Sequence, residues 1–250
     1  MDTTKIAVIT GASRGIGAAT AKLFAQQGYA VCINYLANSA AANSVAAEII
    51  QNGGHCILVQ ADVSNEQDVH RLFTTVDNEL GPMSVLVNNV GILHTQSRLV
   101  DMNAERINAI LQTNVTSCFL CCREAIKRMS RLKGGQGGAI VNVSSGAARK
   151  GSPNEYIDYA ASKGAVDTLT IGLAQEVAAE GIRVNAVRPG LIYTDIHASG
   201  GEPDRVNRLK HKIPLQRGGE PTDVAEAIYW LASDKASYAT GIFIDLTGGL

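Results

Sequence analysis

Thr10-Gly11-Ala12-Ser13-Arg14-Gly15-Ile16-Gly17 is the stretch that decides the fold. The run before it, Lys5–Ile9, is apolar and strand-like, and the run after it, Ile16–Gln27, has helical spacing. Glycine suits a strand-to-helix turn in which the backbone bends sharply, approaches a pyrophosphate and lets helix pack on strand. The start of the helix then offers unpaired N–H groups and a partial positive charge to phosphate oxygens. Gly11, Ser13, Arg14, Gly15, Ile16 and Gly17 are therefore candidate dinucleotide-binding residues.

The same alternation continues outward to the end of the chain. Ala30–Asn34, His55–Gln60, Val85–Asn88, Ala139–Ser144, Arg183–Arg188 and Phe243–Leu246 read as six further strands, mostly unbroken apolar runs. Such runs mark strands buried on both faces of a parallel sheet. Ser39–Asn52 and Asn65–Leu80 read as intervening helices, the second with Ser64 as cap and Gln67 reaching back in a capping box. The expected fold is α/β, a Rossmann-type doubly wound sheet of seven parallel strands with helices on both faces. No linker divides the chain, so residues 1–250 read as one domain, with Tyr193–Leu215 as a flexible cover over the binding edge.

Composition narrows the function. Twenty-two basic and 23 acidic residues in 250 leave a formal charge of −1, which argues against a nucleic-acid or membrane-surface binder. The hydrophobic share of 46% excludes disorder, and neither a spanning segment nor a leader peptide is visible, so a cytoplasmic location is expected. Cys118 and Cys121 have the spacing of a redox or zinc pair, but they sit in an apolar helical run, Thr116–Ala125, and read as core. The five histidines have no ligand spacing, so no metal is expected.

The glycine loop, T-G-x-x-x-G-x-G, resembles that of the short-chain dehydrogenase/reductase family, and further motifs extend the likeness over essentially the whole chain. Asp62, with Val63 beside it, stands where the family's acidic residue meets adenine. Asn88-Asn89-Val90-Gly91 is similar to the family's N-N-A-G, with Val90 in place of alanine. Arg188-Pro189-Gly190, then Ile192 and Thr194, resemble the stretch that contacts the nicotinamide carboxamide. Tyr159 and Lys163 in Tyr-Ala-Ala-Ser-Lys share a helix face, and the resemblance makes them the acid/base and its activator. A nearby ammonium favours the phenolate of a tyrosine that otherwise titrates near pH ~10. Ser145 is the expected substrate-orienting serine, 14 residues before Tyr159. The usual spacing is one shorter, which implies an extra residue in Ser152–Ile157 and keeps Ser144 open as the alternative. Tyr156 is a decoy, since Ala160 stands where a lysine is needed. Asn114 resembles the family's mid-helix asparagine, which binds a water leading to the lysine.

The resemblance implies an oxidoreductase acting on a small carbonyl or alcohol. Glucose 1-dehydrogenase, 3-oxoacyl-carrier-protein reductase and a non-catalytic dinucleotide sensor are the alternatives. An acidic carrier protein is disfavoured by Glu180 at the end of the Tyr159 helix, although Arg183 lies close by. The cofactor expected is NADP(H), with NAD(H) possible. Tyr35 stands where an NAD site carries its acid, and Arg14, Asn38 and Ser39 are positioned to meet a 2′-phosphate. A homotetramer is expected, with the last strand and the helices carrying Asn114 and Lys163 at interfaces. An apolar face at Val166, Leu169, Ile171 and Leu173 motivates that expectation.

Overall fold

The computed structural model describes residues 4–250; Met1–Thr3, part of the stretch on which the expectation of no leader peptide rests, lie outside the described residues. The elements in chain order are β1 (Ile6–Ile9), α1 (Gly15–Gln26), β2 (Ala30–Tyr35), α2 (Ser39–Gln51), β3 (His55–Gln60), α3 (Glu66–Glu79) and β4 (Val85–Asn88). There follow α4 (Ala104–Leu111), a π-helical turn (Gln112–Thr116), α5 (Ser117–Met129), β5 (Gly138–Val143), α6 (Ala147–Lys150) and α7 (Ile157–Val177). The last are β6 (Ile182–Pro189), α8 (Ile196–Ser199), α9 (Arg205–Leu209), α10 (Pro221–Ala232) and β7 (Phe243–Leu246).

All seven strands join one parallel sheet in the order β3-β2-β1-β4-β5-β6-β7. The apolar runs are two-faced: Val8 packs with α3 and α5, whereas Ile9 packs with α1 and α10. One layer centres on Phe24 and Ile228, the other on Phe73, Met129 and Leu173. Strand order reverses at β1, which pairs with both β2 and β4. At such a switch point the strand ends diverge and leave a crevice outside their carboxyl edge.

Two local expectations need correction. Asn65, not Ser64, caps α3, accepting from the Gln67 and Asp68 amides at 2.9 and 3.1 Å. Ser64 is diverted, because its hydroxyl donates to the Asp62 carboxylate at 2.7 Å. Between β5 and the Tyr159 helix lie α6 and a loop with left-handed Ser152 (φ 45°) and Asn154 (φ 63°). Within the cover α8 and α9 form, and a bridge between Ile192 and Gly219 pins its base. Finally, Val166 and Leu173 are spent inside the chain's own core, leaving Ile171 as the exposed member of the expected interface face.

Candidate active site

The glycine loop is locked onto the strands beneath it. The Thr10 hydroxyl oxygen accepts from the Asn89 amide at 3.0 Å, and Asn89 Nδ2 donates back to the Thr10 and Gly11 carbonyls at 3.0 and 3.1 Å. The Gly11 amide donates to Asn34 Oδ1 at 3.2 Å, and Asn34 in turn donates to the Val59 and Ala61 carbonyls. Gly11 is left-handed, at φ +61°. Gly17 is glycine for space, because a Cβ there would lie 2.5 Å from both Asn89 Nδ2 and the Gly11 carbonyl oxygen. No side chain caps the start of α1. Its first N–H groups therefore face the crevice unpaired, the arrangement that a pyrophosphate completes. The residues present fit a dinucleotide.

Further along the crevice, Tyr35, Leu36 and Asp62 line an open cavity of about 560 Å³ beside the β2 and β3 ends. One Asp62 oxygen is taken by Ser64. Asn38 caps α2 through Oδ1, so only its amide nitrogen is free to meet a phosphate. Ser39 opens α2, and Val63 is buried beside Asp62. Arg14 lies in an exposed ion pair with Asp195 at 3.6 Å, both side chains more than 60% exposed. Such a pair is weak and easily exchanged for a better anion. Thr194 lies against Gly15, so the cover begins directly over the glycine loop.

The reacting end is assembled from α7, β5 and the π-turn. Tyr159 and Lys163 lie one turn apart on α7, with the ammonium 5.6 Å from the phenol ring centre. Lys163 is buried and donates to the Val143 carbonyl at 2.8 Å. Gly91 makes room for it, since a Cβ there would come within 3.2 Å of Nζ. Asn114 widens the helix into a π-turn, and its side chain leaves the helix ladder to pair with the Ile92 amide (2.8 Å) and carbonyl (3.1 Å) and with Ser162 (3.1 Å). Ser144 and Ser145 point opposite ways. The Ser144 hydroxyl is buried and donates to Asp167 at 2.6 Å. Ser145 is partly exposed and accepts from the Ala147 amide at 3.1 Å, leaving its own hydroxyl proton free. Gly190 packs on Thr247 of the closing residues, and the Gly146 amide donates to the Pro189 carbonyl at 2.9 Å. That contact brings the Ser145 and Pro189–Gly190 segments side by side.

Tyr156 is excluded on geometry and electrostatics alike. Its hydroxyl donates to the Gly200 carbonyl at 3.1 Å, and burial pushes its phenol pKa up, the wrong direction for a base. Burial likewise raises the thiols of Cys118, to about 11, Cys121 and Cys122, and all five cysteines are free. No metal-holding cluster occurs among the described residues. Burial pushes the His197 pKa down from the ordinary histidine value.

Several site residues have no signal in the sequence. Arg106 pairs with Asp158 at 2.7 Å and donates to the Thr95 carbonyl at 2.7 Å, while Asp158 accepts from the Tyr159 amide at 2.9 Å. Arg205 joins Glu155 and Glu202 and ties the cover to the loop before Tyr159. Arg106 and Asp158 are 52 residues apart and Arg205 and Glu155 are 50 apart, and none of the four belongs to a motif.

Residues 11–250 match the family described as enoyl-(acyl carrier protein) reductase. The uncharacterized oxidoreductase YgfF of Escherichia coli (strain K12) is 62% identical over 244 residues, covering 98% of this chain and 99% of that protein. A 3-oxoacyl-(acyl-carrier-protein) reductase of Synechocystis sp. is 41% identical over 250 residues, covering 99% and 97%. A solved short-chain type dehydrogenase/reductase from Mycobacterium marinum is similar with a TM-score of 0.92 at 35% identity, covering 99% of this chain and 96% of that one.

Proposed function

The chain belongs to the short-chain dehydrogenase/reductase family, and from that premise we propose that it moves a hydride between NADP(H) and a small carbonyl or alcohol. The observation that carries the reading is the Tyr159–Lys163 pair, one turn apart on α7, with Lys163 tied to the carboxyl end of β5 through the Val143 carbonyl and Ser144. The nicotinamide dinucleotide, when bound, supplies or accepts the hydride. The chain's own residues handle the oxygen and its proton. The Ser145 hydroxyl, its oxygen already occupied by the Ala147 amide, donates its free proton as a hydrogen bond to the substrate oxygen. Tyr159 gives that oxygen a proton on reduction and takes it back on oxidation. The Lys163 ammonium stabilises the phenolate that results. Asn114 fixes the Ile92 backbone facing Lys163, and Gly91 keeps the space open.

For the cofactor half, Gly11, Ser13, Gly15, Ile16 and Gly17 receive the pyrophosphate, and Asp62 and Val63 the adenine. Asn89, Val90, Gly91, Pro189, Gly190, Ile192 and Thr194 line the nicotinamide side. The preference for NADP(H) rests on Tyr35, which places no carboxylate where a 2′-phosphate would be repelled, and on Arg14, whose weak exposed pair with Asp195 frees it for that phosphate.

A free small molecule is favoured over a carrier-bound thioester, although a relative named as a carrier-protein reductase is 41% identical. Glu180 remains at the end of the Tyr159 helix. Arg183 does not offset it: its guanidinium donates to the Leu231, Ala232 and Ser233 carbonyls at the end of α10. We read the chain as one domain, because every strand joins one sheet, and as a cytoplasmic protein, where five free cysteines stay reduced. No helix among the described residues is long and apolar enough to cross a membrane.

The test is absorbance at 340 nm with NADPH or NADH and a panel of ketones, aldehydes, sugars and alcohols. Turnover of free carbonyls with NADPH is expected. A rate confined to carrier-bound 3-oxoacyl thioesters would overturn the substrate class, and cofactor binding without any turnover would favour a sensor.

A further inference from the structure

Behind the reacting side chains lies a buried ion pair that the reaction does not use directly. Asp167 stands one turn past Lys163 on α7, and Arg188 near the end of β6, with 13% and 16% of their side chains exposed. Asp167 Oδ2 accepts from Arg188 Nε at 3.0 Å and from its Nη2 at 2.9 Å. The other oxygen, Oδ1, accepts from the Ser144 hydroxyl at 2.6 Å. Arg188 also lies over the Phe243 ring at 3.8 Å and reaches Asp245 at 3.5 Å. One carboxylate thus joins three elements, and each contact is a step from the site. Ser144 precedes Ser145, Arg188 precedes Pro189–Gly190, and Asp167 is four residues beyond Lys163.

We propose that Asp167 is a positioning residue for this reaction: by gripping Ser144 and Arg188 together, it sets Ser145 and the Pro189–Gly190 segment against Tyr159. The strand ends explain the need. Past Val143 the β5–β6 ladder thins to the Ser144 amide on the Val187 carbonyl and the Gly146 amide on the Pro189 carbonyl, each at 2.9 Å. Two adjacent serines at such an end are near-equivalent until one is anchored. Asp167 anchors Ser144 inward, and the alternation of side chains then turns Ser145 outward. The fork of Arg188 fits both its bonds to one carboxylate oxygen and holds β6 at a fixed height on α7. A buried pair of this kind gains little stability over an apolar replacement, so orientation is what it supplies.

The proposal rests on the dehydrogenase reading, and its test separates the two. Asp167→Asn keeps an oxygen for Ser144 but turns an amide and no charge towards Arg188; Ser144→Ala breaks the other arm, together with the longer 3.3 Å contact of Ser144 to the Lys163 carbonyl. In the cofactor-free proteins, amide hydrogen exchange should accelerate over 187–194 in Asp167→Asn and over 143–147 in Ser144→Ala. In NADPH-dependent carbonyl reduction, Asp167→Asn should lower kcat by about tenfold or more, with the carbonyl KM within about threefold, as expected for misplaced groups. Arg188→Lys, which keeps the charge but not the fork, should fall between the two. A wild-type kcat in Asp167→Asn overturns the proposal. So does a loss of kcat that circular dichroism at the assay temperature attributes wholly to unfolded protein. If the wild type reduces no carbonyl, the dehydrogenase reading fails and exchange alone decides: faster exchange upholds the clamp, and unchanged exchange sinks it.

Discussion

Gly17→Ala isolates the glycine cradle from every other part of the account. A Cβ at this position would sit 2.5 Å from Asn89 Nδ2, 2.5 Å from the Gly11 carbonyl oxygen and 2.9 Å from Ala12 Cα. Two of those atoms are backbone of the loop itself, so relief requires the loop to move. Overpacking of this kind costs about 1–3 kcal/mol. Displacing Asn89 weakens its bonds to the Thr10 and Gly11 carbonyls, about 1 kcal/mol each. The better helix propensity of alanine returns about 1 kcal/mol. The net loss is about 2–4 kcal/mol, or roughly 4–16 °C in Tm for a chain of this length. The same shift carries the α1 amides away from the phosphates, and NADPH affinity should fall at least about tenfold, equivalent to ~1.4 kcal/mol. Gly28→Ala is the control: its φ is +83°, but nothing lies within 4 Å of the added Cβ. It should lose only the left-handed strain, about 1–2 kcal/mol, and bind NADPH like the wild type. Thermal melts and fluorescence titration with NADPH read both quantities. A Gly17→Ala protein that melts and binds like the wild type would refute the cradle.

Other expectations follow from the same contacts. Tyr35→Asp should move the ratio of kcat/KM values towards NADH, and a wild type that already prefers NADH contradicts the assignment of Tyr35 and Arg14. Ser145→Ala should lower kcat by about 10²-fold, the order expected of an aimed hydrogen-bond donor, and more than Ser144→Ala does; the opposite ranking would exchange their roles. Light scattering should return four times the 26.3 kDa chain mass, because Leu111, Phe119 and Ile171 on the Asn114 and Lys163 helices and Tyr238 and Ile242 before β7 stay exposed; a monomer mass ends that reading. Burial alone would raise the Glu124 pKa, but hydrogen bonds from Lys127 and Arg128 outweigh it and hold the carboxyl below its usual range. Its contribution to stability is therefore present above the ordinary glutamate pKa, about 4.3, and lost as pH falls through the lower folded value. Melts of Glu124→Gln and wild type should converge in acid and separate near neutrality; a constant gap across pH would show that the charge is irrelevant.

What was legible in the sequence was whatever repeats locally. Val8 and Ile9 announce a two-faced strand because neighbouring side chains point to opposite layers. The glycine loop is legible because tight turns admit few residues, and Tyr159 with Lys163 because four residues make one helical turn. Boundaries were harder. Ser64 and Asn65 are both good caps, and the hydrogen bond of Ser64 to Asp62, two residues before it, decides between them. Val166 and Leu173 looked like an unsatisfied face because nothing local shows that the chain's own core covers them. Arg106 with Asp158, and Asp167 with Arg188, are 52 and 21 residues apart and meet only once the sheet has formed. Pairings of that kind carry no local pattern.

The central claim is that Tyr159 is the acid/base of a nicotinamide-dependent reduction, and single-turnover kinetics tests it most directly. Wild type and Tyr159→Phe are each saturated with NADPH, mixed with the best carbonyl from the panel, and followed at 340 nm. The account predicts equal NADPH affinity and equal Tm for the two proteins, with the variant's hydride-transfer step at least ~10²-fold slower, the lower range for loss of a general acid. A Tyr159→Phe enzyme that oxidises NADPH as fast as the wild type would contradict it.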